Sequence, residues 1–147
     1  MREILNVTFE SGQIPDRWIE TKRLYRFERA GLRTGAVTRF EIPLPGHGWR
    51  RLRVEAELEV LPTGGPILIC SDGRMMTLAD LKRGTQTMSI HHATPLAQGN
   101  RTVAPSSGTC LAAFEFNGTR PGFSLNGKEI LSGHDPQPVP VAGMIVL

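Results

Sequence analysis

Three glutamates at alternate positions, Glu55, Glu57 and Glu59, have a spacing that could do chemistry. Alternation in an extended strand sends all three side chains to one face. Two carboxylates flanking a sugar, one acting as acid and the other as nucleophile or base, are what glycosidic cleavage needs. The same spacing also makes a solvated strand face, with Arg51 and Arg53 beside it to form cross-strand ion pairs. A glycanase cleft should also offer aromatic platforms, and Trp and Tyr together number only three: Trp18, Tyr25 and Trp49. The solvated face is therefore preferred. Catalysis by Glu55, Glu57 and Glu59 is kept as the alternative for an enzyme, so no catalytic residue is assigned to a non-catalytic protein.

Trp18 and Trp49 follow loop residues and could stack a sugar ring, although such a Trp more often plugs the rim of a core. Arg101, Arg120 and Lys128 could line a loop-end site or simply keep turns soluble. The ligand-binding candidates are thus Trp18, Trp49, Arg101 and Arg120. No metal site is expected. His91 and His92 are adjacent and would point to opposite faces of a strand, while His47 and His134 lie in separate loops. No nucleophile elbow, phosphate loop or dinucleotide fingerprint is present. Cys70 and Cys110 sit inside apolar runs and read as two buried thiols. The sequons at Asn6, Asn100 and Asn117 read as coincidence, and Asn117 is already explained by a turn.

Charge argues against nucleic acid. The net charge is +3, and the one basic cluster, Arg50, Arg51 and Arg53, is followed directly by Glu55, Glu57 and Glu59. A nucleic-acid footprint should be a basic patch or stripe. The start of the chain shows no long apolar run, so neither a secretory segment nor membrane insertion is expected. That reading places the protein in the cytoplasm or assembled into a particle.

The elements that must position these residues are strands. The 147 residues form one domain of ordinary size (residues 1–147), with 16 Gly and 11 Pro to break many short strands. The clearest signal is near the end. Cys110, Ala112, Phe114 and Phe116 alternate with Leu111, Ala113 and Glu115. Asn117-Gly118 follows, then Phe123-Ser124-Leu125, then Asn126-Gly127. Asn-Gly between apolar runs is the strongest short-range hairpin signal, so two such turns predict a three-stranded meander. Residues 52–60 alternate just as strictly, with Leu52, Val54, Ala56, Leu58 and Val60 inward. Residues 5–9, 24–27, 36–42 and 87–91 read as further strands, with a closing strand over 141–147. Residues 66–71 read as a strand buried on both faces. Thr77, Asp80 and Gly84 predict a short helical turn over 77–84. Residues 93–108 read as a long surface loop. The expected fold is all-β, an antiparallel β-sandwich with one short helical turn.

Phe9-Glu10-Ser11-Gly12 with Pro15-Asp16-Arg17-Trp18 resembles the first strand of concanavalin A-like jelly rolls, the laminin-G-like and lectin/glucanase group. Phe114-Glu115-Phe116-Asn117-Gly118 and Phe123-Ser124-Leu125-Asn126-Gly127-Lys128 resemble that group's paired strands and later hairpin. The resemblance implies two curved antiparallel sheets, often binding sugars or proteins. Related folds often carry calcium, but no Asp/Asn-rich loop is present to hold it, so no cofactor is expected. Sandwich glycosidases of this group carry Glu-x-Asp-x-Glu on one strand, and this chain has Glu57 in the middle position.

The reading adopted is a non-catalytic binding or assembly module that recognises carbohydrate or a protein surface through its loop ends. The alternatives are a structural virion subunit, in decoration or tail, and a glycoside hydrolase. A homo-oligomer or membership of a larger assembly is expected.

Overall fold

The computed structural model describes residues 13–22, 25–28, 31–34, 39–46, 48–60, 67–81, 83–90, 94–100, 108–141 and 144–146. The expected strand at 5–9, and His47, His91, His92 and Arg101, lie outside these residues.

Two antiparallel sheets form a sandwich. The first has seven strands, in the order β1-β4-β13-β6-β7-β8-β9. These are β1 (Ile19–Lys22), β4 (Arg39–Pro43), β6 (Ile67–Ser71), β7 (Met75–Asp80), β8 (Thr85–Ile90), β9 (Thr94–Asn100) and β13 (Met144–Val146). The second has four strands, β12-β11-β10-β5, from β5 (Arg51–Val60), β10 (Gly108–Asn117), β11 (Gly122–Leu125) and β12 (Lys128–Ser132). A separate hairpin joins β2 (Tyr25–Glu28) to β3 (Gly31–Thr34).

Period-two alternation builds the core. Cys110, Ala112, Phe114 and Phe116 of β10 are buried, as are Phe123 and Leu125 of β11. They meet Cys70, Met75, Ala79 and Met88 from the other sheet in one apolar cluster. Phe114 and Phe123 are register partners, and their rings lie 5.0 Å apart between centroids, within the range where tilted aromatic pairs attract. Cys70 and Cys110 are free and buried, and burial pushes both thiols up, so they stay protonated. The meander forms as expected. Asn126 and Gly127 both take positive φ, 48° and 76°, which the tight turn between β11 and β12 requires. Asn126 also ties its turn to β10: Leu111 N donates to Asn126 Oδ1 at 2.8 Å, and Asn126 N donates to Leu111 O at 2.8 Å.

Two expectations need correction. No helix occurs among the described residues. Met75 to Ala79 alternates buried and half-buried, so Thr77 and Asp80 belong to a strand. Only the end of the 77–84 segment turns, where Gly84 N donates to Asp80 O at 2.9 Å and Arg83 N donates to Asp80 Oδ1. Thr77 and Asp80 mimic capping residues locally, but sheet packing outweighs one helical turn. The 93–108 segment is not all loop either. Thr94–Asn100 forms β9, at one end of the seven-stranded sheet. Its Pro95 suits an end strand, where a missing N–H is tolerated, and the register slips opposite it.

A strap running from Gly133 to Val141 closes the sandwich. Asp135 on it is 1 % exposed, and Arg74 of the β6–β7 turn pairs with it through two bonds of 2.6 and 3.1 Å. Arg74 also donates to Gln137 O at 2.9 Å, and Gln137 N donates to Asp135 Oδ1. At the far end, Val141 N donates to Trp49 O. The Arg74 hydrogen bonds hold the Asp135 carboxyl below its usual range, against the cost of burial.

Removing Arg74 leaves a buried carboxylate without its partner. Arg74→Ala should lower unfolding free energy by about 2–3 kcal/mol, less than for a fully buried pair because the Arg74 side chain is partly exposed, measured by urea denaturation at pH 7. The folded pKa of Asp135 is depressed, so its stabilising effect is complete above the unfolded carboxylate value, about 3.9. It is lost as pH falls through the lower folded value. The stability gap between the wild type and Asp135→Asn should therefore hold steady above about pH 5 and shrink below about pH 4. Gly133→Ala should cost about 1 kcal/mol or more by the same assay, because an added Cβ would sit 3.1 Å from Leu96 Cβ and Met88 Sδ.

Candidate functional site

The outer face of the four-stranded sheet collects most of the charged candidates. Side chains directly opposite in an antiparallel pair share a face, so register lays out the surface in rows. Arg53, Glu115, Gly122 and Ser132 form one row across β5, β10, β11 and β12. Glu55, Ala113, Ser124 and Glu129 form the next. Glu57 and Leu111 follow.

The central strands carry small residues where these rows cross them. Gly122 and Ser124 on β11, with Ala113 beside them, leave a trough between the longer side chains of β10 and β12. Strands two places apart are separated by about 9.6 Å, roughly the width of one sugar ring. The result is a cavity of ≈ 120 Å³ lined by Arg53, Glu115, Gly122, Ser124, Gly127 and Glu129. Pockets that enclose a drug-sized ligand run to about 300–1,000 Å³, so this one can seat a single unit of a chain and leave the rest in solvent. An added Cβ at Gly122 would meet only Leu131 O at 3.6 Å and Glu115 Cβ at 4.0 Å, which is ordinary contact.

Charge organises the rim. Arg53 Nε donates to Glu55 at 2.7 Å, and Arg53 Nη1 pairs with Glu115. The Glu55 hydrogen bond holds the Arg53 guanidinium above its usual pKa, against the cost of burial, and Glu115 adds to it. Arg120 faces Glu129 at 3.4 Å, and Ser132 Oγ donates to Glu129 at 3.1 Å. A pit bordered by carboxylates, a fixed guanidinium and a hydroxyl can both give and accept hydrogen bonds. Polyols require such a mixed set.

The candidates read from sequence divide accordingly. Arg120 reaches the rim of the pit. Glu55 and Glu57 are exposed on the same sheet face, and the backbone of Glu59 pairs with Thr109 farther along it. These glutamates lie along one strand of an open face rather than across a cleft. The two tryptophans are elsewhere. Trp18 is half-buried and packs on Phe40, with centroids 5.5 Å apart. Trp49 is half-buried against the core, where its backbone bridges Val141. Its Nε1 is buried and has no hydrogen-bond partner among the described residues. Glu115, Gly122, Ser124 and Glu129 were not candidates. Glu115 was visible as the outward residue of β10, but only cross-strand register shows that Gly122 and Ser124 stand beside it. No group of three metal-ligating side chains occurs among the described residues.

No protein-family model matches the chain, and no curated protein matches it. Two solved structures share its fold. The carbohydrate binding module CBM66 from Bacillus subtilis superposes with a TM-score of 0.59 at 10% identity, over 88% of this chain and 86% of that one. A Bacillus subtilis protein of unknown function with a galectin-like fold superposes with a TM-score of 0.58 at 12% identity, over 88% of this chain and 81% of that one. The fold is therefore a lectin-like β-sandwich of the kind seen in galectin-like proteins and carbohydrate-binding modules.

Proposed function

We propose that this chain is a non-catalytic carbohydrate-binding module that reads one sugar unit in the pit on the four-stranded sheet. The observation that carries this reading is the pit itself, floored by Gly122 and Ser124 and bordered by Arg53, Glu115 and Glu129. The likeness to a carbohydrate-binding module supports it. Arg53 Nη2 has no partner among the described residues and is left to donate to a hydroxyl, while Glu129 and Ser124 can accept. Glu55 and Glu57 frame the face without enclosing a reaction centre, which favours binding over hydrolysis.

The contact is small, so the affinity should be modest. A hexose has about 12 non-hydrogen atoms, and about 0.3 kcal/mol per atom gives about 4 kcal/mol, a dissociation constant near 1 mM. Gains beyond that must come from neighbouring units of a longer chain.

Affinity electrophoresis through gels containing soluble polysaccharides checks this proposal. The wild type should be retarded by at least one polysaccharide. The double variant Gly122→Val with Ser124→Val, which fills the floor of the pit, should lose that retardation while keeping its thermal midpoint within a few degrees. Retardation unchanged in a folded double variant would move the site off this face, and Trp18→Ala would be examined next.

A further inference from the structure

The charges around the pit are unevenly committed. Arg53 already bridges Glu55 and Glu115, and Arg120 already faces Glu129. Three carboxylates therefore stand against two guanidiniums, and both guanidiniums are engaged. Lys128 is close in sequence, but its register partner is Leu125, whose side chain faces the core, so Lys128 projects toward the opposite face at the sheet end. Arg51 lies on the pit's own face beside Asn117, beyond the Arg53 row, and does not line the pit. Glu129 is exposed, and its hydrogen bonds to Arg120 are long, at 3.4 Å. The local sign is opposite to the chain's net charge of +3, so the excess of carboxylates is a property of this face and not of the molecule.

We infer that the pit ranks its ligands by charge: a sugar unit bearing an amino group binds best, a neutral unit next, and a unit bearing a carboxylate or sulfate worst. The inference rests on the carbohydrate reading above and names the ligand class for the same site. An ammonium can take up a place beside Glu129 and Glu115 without displacing any existing pair. A uronate finds only Arg53 Nη2 open, on a guanidinium whose charge Glu55 and Glu115 already share. It would also stand within a few ångströms of two or three carboxylates, where like-charge repulsion at a protein surface changes affinity by about tenfold or more. Salt screens such contacts over about 10 Å at 0.1 M, so the ranking should compress as ionic strength rises. Glu129 is the selectivity residue, because its ion pair with Arg120 is the longest around the pit, at 3.4 Å.

The test uses the full chain and three oligosaccharides of equal length: a glucosamine trimer, a cellotriose and a galacturonic acid trimer. Binding is followed by titration in 20 mM and 300 mM salt. The glucosamine trimer should bind most tightly and the galacturonate trimer at least tenfold more weakly than cellotriose in low salt, with the spread narrowing in high salt. Glu129→Gln should reduce the ratio of glucosamine to cellotriose affinity about tenfold, because the amide still meets a hydroxyl but no longer attracts an ammonium. A galacturonate trimer that binds the wild type as well as cellotriose does overturns the charge ranking and leaves the carbohydrate reading standing. A Glu129→Gln protein that keeps the full glucosamine preference also overturns it. Binding of none of the three removes the ranking together with the carbohydrate reading.

Discussion

Ten consecutive register pairs join β5 to β10, from Val60 opposite Gly108 to Arg51 opposite Asn117, without a bulge. This pairing is the constraint on which the rest of the sheet depends. Leu52, Cys110, Ala112, Phe114 and Phe116 enter the core, while Arg51, Glu55, Glu57, Thr109 and Leu111 meet solvent. A slip by one residue would drive Arg53, Glu55 and Glu57 toward Phe114 and expose the apolar side. Burying even one unpaired charge costs far more than the pairing of a single strand position can return. The hydrophobic core and the charged face are thus two consequences of one register. The pit inherits its geometry from the same source, because β11 and β12 are laid against β10 by turns that allow little freedom.

Much of this order is legible in the sequence because it is local. The alternation of residues 52–60 and 110–116 is written in neighbouring residue types, and the Asn126-Gly127 turn is written in the two residues that most easily adopt positive φ. Elements that depend on distant partners are harder to read. Thr77, Asp80 and Gly84 have the chemistry of a helix start and stop, yet β6 and β8 on either side hold 75–80 extended. Pro95 and Gly99 make 94–100 look like loop, but an end strand tolerates both. The candidate site shows the same division. The glutamate stripe and Arg120 are readable as exposed charge. The pit between them is not, because a glycine and a serine become a floor only when β10 and β12 stand on either side.

The aromatic residues teach a related lesson. Trp18 and Trp49 are attractive sugar platforms by type, but one packs on Phe40 and the other against the core. In a chain with so few large aromatics, each contributes more by covering apolar surface than by standing in solvent. A binding surface built here has to use charge and hydroxyl groups, and those are what the four-stranded sheet displays. The clamp between Arg74 and Asp135 belongs to the other side of this division of labour. It fixes the strap across the edge of the sandwich and leaves the outer face of the four-stranded sheet uncovered.

The short strand β13 deserves a kinetic reading. It lies between β4 and β6, so its three residues join the β1–β4 pair to the β6–β9 meander. Its partners in β4 are about 100 residues away along the chain, whereas β6 to β9 and β10 to β12 are built from neighbouring hairpins. Local hairpins close in microseconds, and long-range pairings wait for the chain to search. The penalty for that distance is logarithmic, about 0.6 kcal/mol for each doubling of the loop, so late closure is slow without being unstable. The two meanders are therefore able to assemble first as separate units, and the seven-stranded sheet becomes continuous only when the last strand slots into the gap between β4 and β6. The floor of the pit and Glu129 lie within the locally connected β10–β12 meander, so that part of the binding surface is able to take shape early, and Arg53 joins it when β5 pairs with β10.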